Sequence, residues 1–414
     1  MLSVKHMMAA NNHMNVRGMF NKVPEVTIFF WIIKVLCTTV GETASDFLNV
    51  NLNFGLVGTS IVMGVLLVVA LAVQFWTKKY IPVIYWLNVV LISIFGTLVT
   101  DNLTDKLGFP LEYSTIFFSV LLLITFAVWY WQEKTLSIHS IFTTKREAFY
   151  WLAVLFTFAL GTAAGDLYAE ALGLGYATTG VIIAALVALM AVAWRLGLDA
   201  ILAFWVIYIM TRPLGASLGD FLTQSKTHGG LGLGATATTV IFTLGIVATV
   251  LYLALTKRDI TTAAEASDET ETRNSRHVLA QVVVVALFFA VAAIGGYFFR
   301  QQQLRGDISS TTGAATTTAS GISRLGDLSQ FKTLAQQILD AVNKGDWASA
   351  NARVNDLEYA WDSSEGPLKA RNAAAWTHVD SALDKVFREV RAVHPNQQTA
   401  QAALQNLLVV LSNP

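Results

Sequence analysis

The sequence predicts an all-α protein: a polytopic membrane helical bundle of four tandem two-helix repeats, then a ninth transmembrane helix and a small soluble helical bundle. Three observations predict it. A skeleton of Trp, nine residues, Gly, four residues, Asp occurs four times without a slip, as Trp31/Gly41/Asp46, Trp86/Gly96/Asp101, Trp151/Gly161/Asp166 and Trp205/Gly215/Asp220. Its period is about 55 to 65 residues, the mark of an internal repeat. The 414 residues are 54% hydrophobic and only 14% charged, more apolar surface than one soluble core needs. Apolar runs long enough to cross about 30 Å of hydrocarbon recur along the chain.

Taken in order, residues 1–22 are polar, carry Lys5, Arg17 and Lys22, and lack the apolar core of a signal peptide. Eight spans follow near 26–47, 56–76, 81–100, 114–132, 148–165, 177–195, 199–219 and 235–256. They make a membrane domain at 23–256, divided into repeats at 23–79, 80–144, 145–198 and 199–256. A polar linker at 257–277 leads to the ninth span at 278–299, and the remainder, 300–414, changes character. There a tether rich in Gly, Ser, Thr and Ala precedes amphipathic segments near 326–343, 346–362, 366–392 and 397–412. Trp347, Trp361 and Trp376 are expected in the core of that bundle, which should be dispensable for membrane insertion.

Lys and Arg sort by loop. Lys78, Lys79, Lys134, Lys145, Arg146, Arg195, Lys257 and Arg258 fall on the side of the N-terminus, against Lys106 and Lys226 on the other. The positive-inside rule places the N-terminus in the cytoplasm, so all four Trp helices run outward in parallel. Each Asp then lies about 22 Å beyond its Trp, near the outer end. The ninth span carries the C-terminal bundle to the extracytoplasmic side. Reporter fusions at Lys145 and after Arg305 should therefore report opposite sides.

A formal net charge of zero gives no sign of a nucleic-acid partner, and Cys37, the single cysteine, excludes an intramolecular disulfide and a thiolate metal cage. No nucleophile with a base and no His ligand set is visible, so the chain is not read as an enzyme. No cofactor is called for, and a metal enters only as a transported cation. The partners expected are the membrane and that cation; self-association is left open.

The acids on the Trp helices and their outer ends are the candidates for chemistry: Glu42, Asp46, Asp101, Asp105, Asp166, Glu170 and Asp220. On an unbroken helix Asp101/Asp105 and Asp166/Glu170 are i,i+4 pairs on one face, and Glu42 stands one turn before Asp46. Hard cations want several such oxygens. An Asp at a helix end is as readily a cap, however, and duplication preserves caps. Four parallel repeats about an axis along the membrane normal would bring Asp46, Asp101, Asp166 and Asp220 to one depth as a metal or proton site, with Asp46 and Asp166 ranked first. Gly41, Gly96, Gly161 and Gly215 are read as close-packing positions rather than points of unwinding. Trp31, Trp86, Trp151 and Trp205 are read equally as interface anchors and as binding elements. Two cations could act as coupling or counter-ion groups. Lys34 is expected to snorkel to the near interface. Arg212 lies too deep for that and needs a carboxylate partner, Glu42 or a neighbouring Asp.

Four tandem two-helix units with one Trp each resemble the bacterial "membrane-anchored" proteins built from four copies of a repeat of unknown function. The opening Val23-Pro-Glu-Val-Thr and the run Thr39-Val-Gly-Glu-Thr-Ala-Ser-Asp46 carry the resemblance most specifically. It implies the architecture and a bacterial inner-membrane location, but no activity. The fourth copy departs from it by an insertion at 224–230 and by Arg212-Pro213. The favoured function is transport of a small cation, a divalent metal exchanged against protons. The alternative is a non-transporting membrane-anchored sensor or scaffold whose outer bundle binds a partner or ligand.

Overall fold

The computed structural model describes residues 21–51, 54–107, 109–172, 174–224, 226, 230–259, 275–312, 325–362, 364, 368, 371–392 and 394–414. Most of the N-terminal segment and of both polar linkers lies outside these. The Trp-bearing helices are α1 (Ile28–Asp46), α3 (Pro82–Asp101), α5 (Thr144–Asp166) and α7 (Ala200–Thr223). The return helices are α2 (Gly55–Trp76), α4 (Leu111–Glu133), α6 (Tyr176–Arg195) and α8 (Gly234–Thr256). Local chemistry sets the starts: the side chains of Thr27, Thr143 and Asp199 cap α1, α5 and α7, and Pro82 opens α3.

Burial separates the two sets. The apolar windows of α1, α3, α5 and α7 are 67, 67, 61 and 56% buried, against 22, 28, 17 and 22% for the return helices. The first four therefore form an inner ring, α1 on α3, α3 on α5, α5 on α7, and α7 back on α1. Each return helix covers the Trp helix of the next repeat: α2 lies on α3, α4 on α5, α6 on α7, and α8 closes the circle on α1. Their outer faces present Ile61, Val65, Val68, Val181, Leu244 and their neighbours, a surface that only lipid suits. With the ninth apolar helix, the described residues contain nine segments able to span a bilayer, so this is a membrane protein.

The repeat glycines hold the ring together. A Cβ on Gly41 would stand 2.7 Å from Ser93 Cβ, on Gly96 2.7 Å from Phe158 Cβ, on Gly161 2.5 Å from Arg212 Cβ, and on Gly215 2.5 Å from Thr38 Cβ. In every case the residue met is the one three before the next repeat's own glycine. The same contact is thus made four times around a closed circle. The helices run unbroken through these positions, so the glycines are close-packing sites.

A second circle closes the Trp end. The residue before each Trp is aromatic and packs on the Trp of the following repeat: Phe30 on Trp86 (ring centroids 5.5 Å apart), Tyr85 on Trp151 (5.4 Å), Tyr150 on Trp205 (6.2 Å) and Phe204 on Trp31 (5.7 Å). Trp86, Trp151 and Trp205 are buried, so they are core residues and not interface anchors; Trp31 is half-buried. Loops seal this end with paired charges. Lys22 Nζ lies 2.6 Å from Glu147 Oε2, Gln74 donates to Glu147 Oε1 at 2.9 Å, and the Tyr80 hydroxyl donates to Asp259 Oδ2 at 2.6 Å.

The Asp end departs from regular helix. Directly after Asp46, Asp101 and Asp166 the chain turns π-helical, over Phe47–Asn51, Asn102–Lys106 and Leu167–Ala171. In the fourth repeat α7 instead runs on to Thr223. The expected i,i+4 pairing of Asp105 and Glu170 rested on an unbroken α-helix. Both residues sit in these π-helical turns, and their side chains, and with them the expected pairing, lie outside the described ones.

Helix α9 (Ser275–Thr312) runs along the outside of the ring from the Trp end, where Gln281 Nε2 donates to Gly197 O, to the Asp end, where Tyr297 donates to Glu112. Beyond it α10 (Ser329–Asn343), α11 (Trp347–Asp362), α12 (Ala373–Arg391) and α13 (Gln397–Ser412) form a bundle. Its core includes Phe331, Leu357, Trp361, Trp376, Leu383 and Leu404, with Trp347 packed at its edge. The bundle sits over the Asp end, α12 resting on the π turns that follow Asp46 and Asp101.

Candidate functional site

Counted from each Trp, the residues at +3, +7, +11 and +15 form tiers along the ring. The +3 tier is Lys34, Val89, Val154 and Tyr208; the +7 tier is Thr38, Ser93, Phe158 and Arg212; the +11 tier is Glu42, Thr97, Thr162 and Ala216. All twelve are buried. The +15 tier is the four repeat Asp residues, all partly open. Packing positions are thus four-fold, but polar groups on the inner tiers differ from copy to copy.

Arg212 is fully buried and joins three repeats. Its Nη2 lies 2.6 Å from Glu42 Oε2 and also donates to the Thr97 hydroxyl, and its Nη1 donates to Thr38 O at 3.3 Å. The carboxylate partner expected from repeat position is the one found. Lys34 differs from expectation: it is 1% exposed and does not snorkel. Its ammonium stands 3.6 Å from the Phe158 ring centroid and 3.9 Å from that of Tyr208, with no hydrogen-bond acceptor. A cation held by two ring faces is favourable when desolvated, so the stem need not reach for water.

Beyond the Glu42 tier the ring opens into a cavity of about 940 Å³. All four repeat carboxylates, Asp46, Asp101, Asp166 and Asp220, line it together with Glu42. The roof is the C-terminal bundle, which adds Glu358, Asp362, Asp380 and Asp384. Among the described lining residues these nine acids face a single cation, Arg391, whose guanidinium is held by Glu358 (Nη1–Oε1 2.8 Å) and Asn355 (2.6 Å). Asp380 accepts from Trp361 Nε1 at 2.9 Å. Burial lifts the Asp384 carboxyl to about 6; Arg388 pulls it back and Glu358 adds to the lift. One carboxylate oxygen from each of Glu42, Asp46 and Asp220 lies within 4.8 Å of the others, a spacing that suits a hard cation. Asp101 and Asp166 line the same space without joining that trio among the described ligand groups.

The family pattern described as Repeat of Unknown Function (DUF347) matches residues 29–80, 84–135, 149–196 and 203–259, one copy for each Trp helix and its return helix. The chain belongs to this family. No curated protein and no solved structure compared with it matches. In this DUF347 protein each matched copy thus corresponds to one inner and one outer helix of the ring, and the C-terminal bundle lies beyond the last match.

Two parts of the site were missed in the sequence. In the sequence Glu358/Asp362 and His378/Asp380 read as surface pairs of the outer bundle, with metal binding as the lesser alternative; nothing in their spacing says that the bundle folds over the ring and brings Glu358, Asp362 and Asp380 to the cavity. The aromatic residue before each Trp was visible four times over, and the pattern alone could have found it.

Proposed function

We propose that this DUF347 protein binds a small cation in the acidic cavity and moves it across the bacterial inner membrane, with Glu42, Asp46 and Asp220 as first ligands and Asp101 and Asp166 as further carboxylates. The observation that carries the reading is the convergence of all four repeat Asp residues on one cavity. Helix caps facing water would point apart. Intramembrane acids are pathway candidates by default, and like charges brought together must bind a cation or hold protons. Lys78, Lys79 and Lys134 in loops and Lys145 and Arg146 in the first turn of α5 all lie at the Trp end, which supports a cytoplasmic Trp end and a cavity and bundle on the periplasmic side.

A second reading is favoured by the inner tiers. Below Glu42 the ring is filled by Arg212, Phe158, Lys34 and Tyr208, all buried, which suits a receptor that binds without translocation and reports through the bundle. Flux of Mn²⁺ into proteoliposomes, with the full chain and with a chain ending at Thr256, separates the two. Transport predicts flux in the full chain that Asp46→Asn and Asp220→Asn abolish. Binding without flux in the full chain selects the receptor.

A further inference from the structure

The closed half of the ring contains a line of buried titratable groups that cation binding at the carboxylates does not itself use. Lys34 is the deepest, wedged between Phe158 and Tyr208 with all three ammonium protons unaccepted. Beside it stands Tyr208, whose hydroxyl interacts with that of Tyr150. Tyr150 and Tyr85 share a hydrogen bond between their hydroxyls. Tyr85 packs edge-on against Tyr80 with ring centroids 5.6 Å apart, and the Tyr80 hydroxyl bonds the Asp259 carboxylate at the Trp end. Two bonded pairs, Tyr150 with Tyr85 and Tyr80 with Asp259, thus meet at the Tyr85–Tyr80 ring contact between the middle of the ring and a carboxylate at its sealed end.

We propose that Lys34 and the tyrosines Tyr208, Tyr150, Tyr85 and Tyr80 form a proton path through the closed half of the ring, driven by cation binding at Glu42. This rests on the cation reading above. The coupling element is Arg212, whose only carboxylate partner among the described ion pairs is Glu42, a member of the cation trio. A cation drawing on Glu42 weakens that pair and leaves the guanidinium in the dry tier next to Lys34. Two positive charges confined there repel, since neither has water to screen it. The groups facing Lys34 are few: Cys37 on its own helix, Arg212 and Tyr208 on α7, and Tyr150 and Tyr85 through Tyr208. Helix α3 brings Ser93 and Thr97, which do not titrate, and the titratable side chain of α8, Tyr252, stands against Phe29. No carboxylate offers Lys34 an alternative to release.

The step balances. One Nζ–H bond of Lys34 breaks, its electron pair stays on nitrogen, and the flexible stem swings the group to the Tyr208 hydroxyl. That oxygen takes the proton as its own passes to Tyr150, from there to Tyr85 and Tyr80, and finally to Asp259. Each tyrosine ends neutral, and one proton has moved from lysine to carboxylate. Cation entry from the Asp end and proton exit at the Trp end would then be one event.

The test uses the purified full chain in detergent, weakly buffered with a pH dye, titrated with Mn²⁺. Wild type should release about one more proton per bound Mn²⁺ than Lys34→Met, and its affinity should rise about tenfold more steeply per pH unit. Lys34→Arg keeps the charge but holds its protons, so it should lose the same proton; it serves if the Met variant fails to fold. Tyr150→Phe should keep the proton count and slow its release in stopped flow. Equal proton counts in wild type and both lysine variants overturn the role of Lys34, and an unchanged release rate in Tyr150→Phe overturns the tyrosine route. Failure of wild type to bind Mn²⁺ at all is a separate result: it overturns the cation reading and this proposal with it.

Discussion

The two ends of the same four helices have opposite characters. At the Trp end four aromatic pairs close a circle, and Lys22 with Glu147 and Tyr80 with Asp259 pair beside it. Sixteen residues further, at the Asp end, the backbone turns π-helical in three repeats, four carboxylates converge, and a separate bundle forms the roof. The difference teaches how duplication was used. Residues that pack helix on helix, the glycines and the aromatic pairs, kept their four-fold equivalence because each copy meets the next in the same way. Residues on the inner tiers were free to diverge, and one repeat came to supply Arg212, another Glu42 and Lys34.

The sharpest way to break the comparison is at the border between the halves. Arg212→Ala leaves Glu42 without its guanidinium and should cost about 3–5 kcal/mol of stability. Adding Glu42→Gln should recover part of that, read as thermal melting in detergent. A single variant that melts like wild type would show that the pair does not hold the ring. Next in size are the glycines. Gly161→Ala and Gly215→Ala would each place a Cβ 2.5 Å from a neighbouring Cβ, whereas at Gly165 the nearest atom is 3.5 Å away, an ordinary contact. The first two should lose about 1–3 kcal/mol each by overpacking, and Gly165→Ala should lose almost nothing. Equal melting of all three would contradict the close-packed ring.

The smallest effect concerns the roof. With its carboxyl at about 6 against an ordinary 3.8, Asp384 favours the protonated form in the folded bundle. The stability this contributes is complete below the ordinary value and is lost as pH rises through about 6. Hydrogen exchange of the α12 amides, corrected for intrinsic rates, should show protection falling over that window in wild type and staying flat in Asp384→Asn. The same fall in both would assign the effect elsewhere.

Much of this was legible in the sequence. The Trp/Gly/Asp register gave the parallel helices and their common depth, and repeat position alone placed Arg212 within reach of Glu42. What stayed hidden depends on contacts rather than pattern. Each return helix covers the next repeat instead of its own, because the seam it fills is made by a glycine contact between two repeats. The π turns after Asp46, Asp101 and Asp166 carry no compositional signal. Lys34 was expected to reach for the interface because Phe158 and Tyr208, from two other repeats, are distant in sequence. That Asp220 stands with Glu42 and Asp46, where α7 continues as plain helix, is likewise a matter of contacts; Asp166, ranked first with Asp46 in the sequence, lines the same cavity.

The most direct measurement is calorimetric titration of the detergent-purified full chain with Mn²⁺, comparing wild type with Asp46→Asn, Asp220→Asn and Asp101→Asn at matched melting temperature. Removing one of the three converging ligands should weaken binding by at least about tenfold in Asp46→Asn and Asp220→Asn, with a smaller loss in Asp101→Asn. Binding of equal strength in wild type and all three variants would contradict a cation site built from the repeat carboxylates.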